Sequence, residues 1–258
     1  MRTRAMSGSL LVLMYHGLHE GPRDRGRFDL RYSVHPDSFE RQMQCLRARI
    51  GHTWLPGDRA TDGDQVMVSF DDGDVSNAEV ALPVLERLGL RAMFFVTSGF
   101  VGQPGMLARD QVRQLAQAGM GIGSHGLSHR FLNTLDAATL REELCFSRAE
   151  LESIAGRRVD TLALPGGRGG RRELAAARAA GYRLVFGSEP GRNRRLSPHA
   201  LVQRVPITRD VTADDFDEIL AWQGSTVWRM RWRHRLLSLP KQVLGDERYD
   251  RLRQVLVG

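Results

Sequence analysis

Two cysteines in 258 residues, Cys45 and Cys145, are too few for a disulfide framework or a cysteine-built zinc site. Both are expected as buried thiols in helical segments rather than as a pair. Long apolar runs are missing too: none approaches the roughly 18 residues of a membrane span. Arg2 and Arg4 precede only the short run Leu10–Tyr15, with no small-residue cleavage site after it and His16 directly following. That is a poor secretory signal, so the expectation is a cytoplasmic protein with Leu10–Tyr15 as a buried strand. Lysine is almost absent, Lys241 being the single one among 37 basic residues.

What is present suits one large domain with a small appendage. The chain is 41% hydrophobic and 26% charged, too apolar for disorder and long enough to bury a core without staples. Net charge is +7, but residues 225–258 hold eight basic and three acidic residues, so five of those seven charges sit in the tail. A near-neutral body with a basic tail, and no recognition motif, argues against a nucleic-acid partner. The expected division is a barrel domain over 1–224 and a basic helical extension over 225–258, packed on or near the barrel.

Short, continuous apolar runs alternate with amphipathic stretches. The runs 10–15, 65–70, 91–97, 119–124, 161–164, 183–187 and 201–207 read as strands covered on both faces. Helical spacing follows Pro36 and Asp37 (Phe39, Met43, Leu46, Ile50) and recurs over 108–118, 137–154, 171–180 and 214–222, each of these four ended by a glycine within two residues. Ser76 is the expected cap of another helix, running to Leu88. Alternating strand and helix predicts a parallel sheet, either a (β/α) barrel or a doubly wound sheet. Both place active sites at the carboxyl ends of strands.

Three strand ends are unusually polar. Asp71-Asp72-Gly73-Asp74 follows the 65–70 run, His125-Gly126-Leu127-Ser128-His129 follows 119–124, and His16 follows 10–15. Taken singly, each has a bland reading: a turn, two unrelated surface histidines, a hydrogen-bonded core histidine. Together at the ends of parallel strands they suggest chemistry. Histidines four apart fall on one face of a helical turn and can share an ion. Two imidazoles and one carboxylate leave an open position, as in catalytic zinc sites, and the second aspartate is free to act as a base.

Ser69-Phe70-Asp71-Asp72-Gly73 and Ser124-His125-Gly126-Leu127-Ser128-His129, followed by Leu132, resemble the first two motifs of the polysaccharide deacetylases (carbohydrate esterase family four, nodulation-type). Leu13-Met14-Tyr15-His16 and Ser33-Val34-His35-Pro36-Asp37-Ser38-Phe39-Glu40 resemble a subgroup whose catalytic order is circularly permuted. Ala163-Leu164-Pro165-Gly166-Gly167 stands where the third motif belongs, and Gly187–Gly191 and Arg204–Ile207 also resemble that subgroup. The resemblance spans most of residues 10–225.

It implies an α/β fold, a distorted (β/α)7 barrel of parallel strands, and metal-dependent removal of N-acetyl groups from a sugar, polysaccharide or lipid-linked glycan precursor. Asp72, His125 and His129 would hold one divalent ion, zinc being expected and cobalt, nickel or iron also suited to such ligands. Asp71 would be the general base and His16 the general acid, with backbone N–H groups near Gly166 and Gly167 facing the oxyanion. The third motif lacks its usual arginine and aromatic. Arg168 or Arg204 is the expected source of the missing guanidinium. Asp74 is expected to add a third carboxylate beside the ion. Two other readings stay open: a sugar-binding relative without turnover, and an amidase acting on another small amide.

In the tail, Trp228, Trp232 and Leu236 recur at helical spacing between arginines, forming a basic amphipathic helix. The first expectation is that the tryptophan stripe docks on the barrel. The other is contact with an anionic membrane or a lipid-linked sugar.

Overall fold

A computed structural model describes residues 8–59, 63–233 and 236. Six main parallel strands are laid side by side: β1 (Leu10–Tyr15), β2 (Gln65–Phe70), β3 (Ala92–Val96), β4 (Gly121–Ser124), β5 (Thr161–Ala163) and β6 (Leu184–Phe186). Three two-residue strands complete the sheet: β7 (Arg192–Asn193), β8 (Leu201–Val202) and β9 (Val205–Pro206). β8 pairs with β6 at one edge and β9 pairs in parallel with β1 at the other, so residues 201–206 nearly close the sheet into a barrel. The expected single strand over 201–207 is therefore two, interrupted at Gln203–Arg204. The antiparallel pairing of β7 with β1 was not anticipated.

Helices cover the outside: α1 (Pro36–Ile50), α2 (Leu82–Leu88), α3 (Arg109–Gln117), α4 (Ala137–Ala155), α5 (Arg171–Ala179) and α6 (Ala213–Ala221). Their starts follow local chemistry. Pro36 opens α1 behind His35, whose ring accepts from the Asp37 amide. The Asp136 carboxylate caps α4 by accepting from the Thr139 amide. Ser76 does not cap its helix. Its hydroxyl donates to Asp74 and accepts from the Leu18 amide, and a π-helical turn over Asn77–Ala81 leads into α2.

Side chains alternate along the strands, as the pleat requires. Leu10, Val12, Met67, Met93, Phe95, Ala163 and Phe186 share one buried cluster inside the barrel, floored by Trp54 and Leu55. Leu11, Leu13, Tyr15, Val68, Phe70, Phe94 and Val96 point outward against the helices. Both faces of every central strand are thus buried, which is why the runs read as continuous rather than alternating.

Several expectations need correction. Cys45 is half-buried and Cys145 exposed on α4, so neither is a core thiol, and both are free. The tail helix begins at 226 and meets the body through buried Val227 and partly buried Met230. Trp228, Trp232 and Leu236 are exposed, so the tryptophans are not the docking face. Residues 237–258, including the expected last short helix, lie outside the described residues. No helix among the described residues is long and apolar enough to cross a membrane.

Candidate active site

The carboxyl ends of the strands converge on one polar cluster. Asp71 and Asp72 leave β2, His125 leaves β4, and the stretch after β5 carries Gly166 and Gly167. Asp72, His125 and His129 each offer a ligand atom within 4.8 Å of the others. Asp72 Oδ1 lies 3.3 Å from His125 Nε2 and 3.1 Å from His129 Nε2. That oxygen is buried and accepts no hydrogen bond, an uncommon state for a carboxylate. His125 Nδ1 lies 2.9 Å from the Ala163 carbonyl, to which it can only donate. The proton is thereby fixed on Nδ1 and the Nε2 lone pair faces Asp72, the arrangement metal-binding histidines adopt. An orphaned carboxylate oxygen beside a correctly tautomerised imidazole fits a divalent cation.

The histidine pair does not lie on a helical turn. Residues 125–131 are irregular, with Gly126 at φ +82° and His129 at φ +60°. Asp72 is left-handed as well, at φ +73°. Non-glycine residues held there store backbone strain, which recurs where geometry serves a ligand.

Asp71 is buried, and its two oxygens accept a bidentate pair from Arg204, 2.6 Å from Nη1 and 2.8 Å from Nη2. Arg204 is itself fully buried, with Nε donating 2.7 Å to the Gly187 carbonyl. The break between β8 and β9 is what turns this side chain inward. Burial alone would raise the Asp71 pKa, but the charges of Arg204, His125 and His16 outweigh it and hold the carboxyl below its ordinary range. Burial also opposes ionisation of Asp72, and His125, His129 and His16 hold it well below that range. Burial would lower His125, yet Asp71 and Asp72 raise it. Of the two arginines expected as the source of the missing guanidinium, Arg204 is the one that reaches Asp71. Arg168 instead lies over the Phe131 ring, 3.8 Å from its centroid.

His16 is half-buried at the end of β1, and its ring packs 4.6 Å from that of Tyr32. Its Nδ1 is buried without a hydrogen-bond partner among the described residues, and its carbonyl accepts from Asn77 Nδ2. The Gly167 amide donates 2.7 Å to the Leu164 carbonyl, so that donor is spent within its own turn. Asp74 does not join the cluster. It is buried against the amide and hydroxyl of Ser76, the Arg27 amide and, at 3.2 Å, His19 Nε2. It pins the loop after β1 rather than adding charge beside Asp72. Sequence reasoning missed Tyr32, the Ala163 carbonyl and Glu143, whose carboxylate supports the histidine loop.

A barrel with a buried, arginine-held carboxylate beside a two-histidine, one-aspartate cluster is the architecture of a hydrolase that activates water. The polysaccharide deacetylase family model matches residues 58–185. YxkH of Bacillus subtilis (strain 168), whose name assigns it to the same family, is 26% identical over 212 residues, 80% of this chain and 74% of its own length. BC0361, a polysaccharide deacetylase from Bacillus cereus, superposes with a TM-score of 0.73 at 25% identity, over 82% of this chain and 69% of that one. IcaB from Ammonifex degensii does so with a TM-score of 0.68 at 26% identity, over 83% and 96%. The chain belongs to the polysaccharide deacetylase family. Its fold is that family's (β/α)7 barrel, and membership places it among carbohydrate de-N-acetylating hydrolases.

Proposed function

We propose that this chain is a metal-dependent N-deacetylase acting on an N-acetylated carbohydrate. The observation that carries the reading is the convergence of Asp72, His125 and His129 within 4.8 Å, beside an Asp71 held by Arg204. Asp72, His125 and His129 would hold one divalent ion, zinc being the natural candidate for such donors. Bound there, it would lower the pKa of water and polarise the acetamide carbonyl.

The chain's own residues supply the rest. Asp71 stays ionised because Arg204 opposes its burial, so it is ready to take a proton from the attacking water. The bidentate grip of Arg204 also fixes where the carboxylate oxygens point. His16, at the end of β1 and packed on Tyr32, donates a proton to the departing amine nitrogen. The C–N bond breaks, and the products are acetate and a free amino sugar. His16 and Arg204 lie outside the 58–185 match. Their placement is what a circularly permuted member would show: an acid supplied from before the first motif and a guanidinium from after the third.

Loss of the third-motif arginine and aromatic was the ground for a sugar-binding relative without turnover; the grip of Arg204 on Asp71 favours turnover over that reading. The test is acetate release from N-acetylglucosamine oligomers by protein of measured metal content. Asp71→Asn is expected to lower kcat at least about 100-fold, at the low end for a general base, while metal content holds. Acetate release by Asp71→Asn at the wild-type rate overturns the assignment of the base. Wild-type protein that retains no divalent metal overturns the metal.

A further inference from the structure

The loop 125–129 carries both histidines, and its backbone is gripped from two sides. On one side the Gly126 and Leu127 carbonyls accept from the Ser98 and Gly99 amides, at 3.1 and 2.8 Å. On the other, one carboxylate takes three of the loop's donors. Glu143 Oε2 accepts from the Leu127 amide at 2.8 Å and the Ser128 amide at 3.0 Å, and Oε1 accepts from the Ser128 hydroxyl. Glu143 projects from α4 and is only 4% exposed. A Cβ at Gly126 would meet Glu143 Oε2 at 3.4 Å, an ordinary contact, so it is the φ of +82° rather than space that favours glycine beside the carboxylate. Directly after the gripped amides, His129 sits at φ +60°.

A left-handed non-glycine residue persists only where its surroundings over-determine it. Here the over-determination is visible: three donors between the two histidines converge on one buried carboxylate. Charge-assisted bonds of this kind are about twice as strong as neutral ones. We infer that Glu143 is a positioning residue for the metal, holding His129 in the backbone conformation that aims its Nε2 at Asp72. Glu143 touches neither the three ligands' donor atoms nor Asp71. It acts through the loop, as partners outside a metal's own ligands do when they orient those ligands. The inference rests on the metal-binding reading above.

The test measures metal affinity by competition with a chromophoric chelator, and the ligand-field spectrum of the cobalt-loaded protein. Wild type, Glu143→Ala and Glu143→Gln are compared, each first shown folded by circular dichroism in the metal-free state. Glu143→Ala is expected to bind zinc about 10–100-fold more weakly and to show an altered cobalt spectrum. Glu143→Gln can still accept both amides on its carbonyl oxygen and donate to the Ser128 hydroxyl, so it should recover most of the affinity. An alanine variant within twofold of wild type, with an unchanged cobalt spectrum, overturns the inference. If Glu143→Ala does not fold, Glu143→Asp replaces it under the same criteria, since the shorter side chain draws the carboxylate back from the loop. Failure of wild type to bind zinc or cobalt refutes the metal-binding reading itself, an outcome distinct from equal affinities across the series.

Discussion

Arg204 and Asp71 are a buried ion pair, and a buried pair is most informative when one partner is removed. Arg204→Ala leaves a carboxylate inside the barrel without its counter-charge, at an expected cost of about 3–5 kcal/mol measured by urea denaturation. The same variant shifts the pH dependence of turnover in a defined direction. In the wild type Arg204 helps hold the Asp71 pKa below its ordinary value, so the base form is lost only when pH falls through that lowered value. Without Arg204, burial pushes the carboxyl up and the base protonates earlier on acidification. The acidic limb of kcat/KM therefore moves to higher pH, and an unmoved limb would show that Arg204 does not tune Asp71. The two aspartates and two histidines were legible in the sequence because each pair falls within one short motif after a strand. Arg204 was legible only as one of two candidates, since 133 residues separate it from Asp71 and no local pattern spans that distance. Glu143 left a fainter trace. It shares the buried stripe of α4 with Leu140, Leu144, Ser147 and Leu151, and an acid at a core-facing position signals a partner.

Strands and helices were readable where burial is continuous and ambiguous where a side chain leaves the pattern. β1 and β2 occupy the expected ranges, because β1 is six apolar residues in a row and β2 sets Val66, Met67, Val68 and Phe70 directly before the acidic Asp71. The 201–207 run is not a single strand because β8 pairs with β6 and β9 with β1, and Arg204, at the break between them, reaches a buried carboxylate that no local pattern reveals. The spacing of His125 and His129 suggested a helical turn because periodicity alone cannot show that Glu143 takes the loop's amides. One element contact offers a separate test. Tyr182, buried before β6, donates 3.0 Å to the Leu144 carbonyl of α4 and lies 3.2 Å from the Ser147 hydroxyl, itself 2.6 Å from that of Ser124 at the end of β4. Tyr182→Phe is expected to cost about 1–2 kcal/mol near neutral pH, where the hydroxyl's partners lose their bond. Burial pushes the Tyr182 pKa from 10.0 up to about 12. The unfolded chain therefore ionises first as pH rises, and the wild type loses stability between pH 10 and 12 by up to about 2–3 kcal/mol. The phenylalanine variant lacks this loss, so the gap between the two proteins should close or invert across that interval. Parallel stability curves from pH 8 to 12 would rule the linkage out.

At the scale of the whole molecule, the site exists only because the barrel nearly closes. His16, Asp71, Asp72, His125 and Arg204 are brought in by different parts of the sheet, and Arg204 sits at the seam where 201–206 spans from β6 to β1. A parallel α/β sheet was legible from alternating strands and helices and the barrel from the family resemblance, whereas the seam was not, being built from two-residue strands that carry almost no pattern. Because the proposed ligands Asp72, His125 and His129 come from the end of β2 and the loop after β4, an ion bound there would link these segments in the folded state alone. Binding of that kind raises folding stability by mass action, by about 2.7 kcal/mol when free metal is 100 times Kd. For a chain of this size that corresponds to a rise in Tm of roughly 5–10 °C. Chelator-stripped protein should melt lower by about this amount and recover on adding zinc. Asp72→Asn should melt at one temperature with or without zinc, because it removes the charge of the carboxylate whose Oδ1 both histidines face. Asp71→Asn should instead retain most of the metal-dependent rise, since Asp71 is held by Arg204 rather than placed among the ligands. Equal metal-dependent rises in Asp72→Asn and wild type would locate the bound ion elsewhere on the molecule and separate the Asp72, His125 and His129 cluster from metal binding.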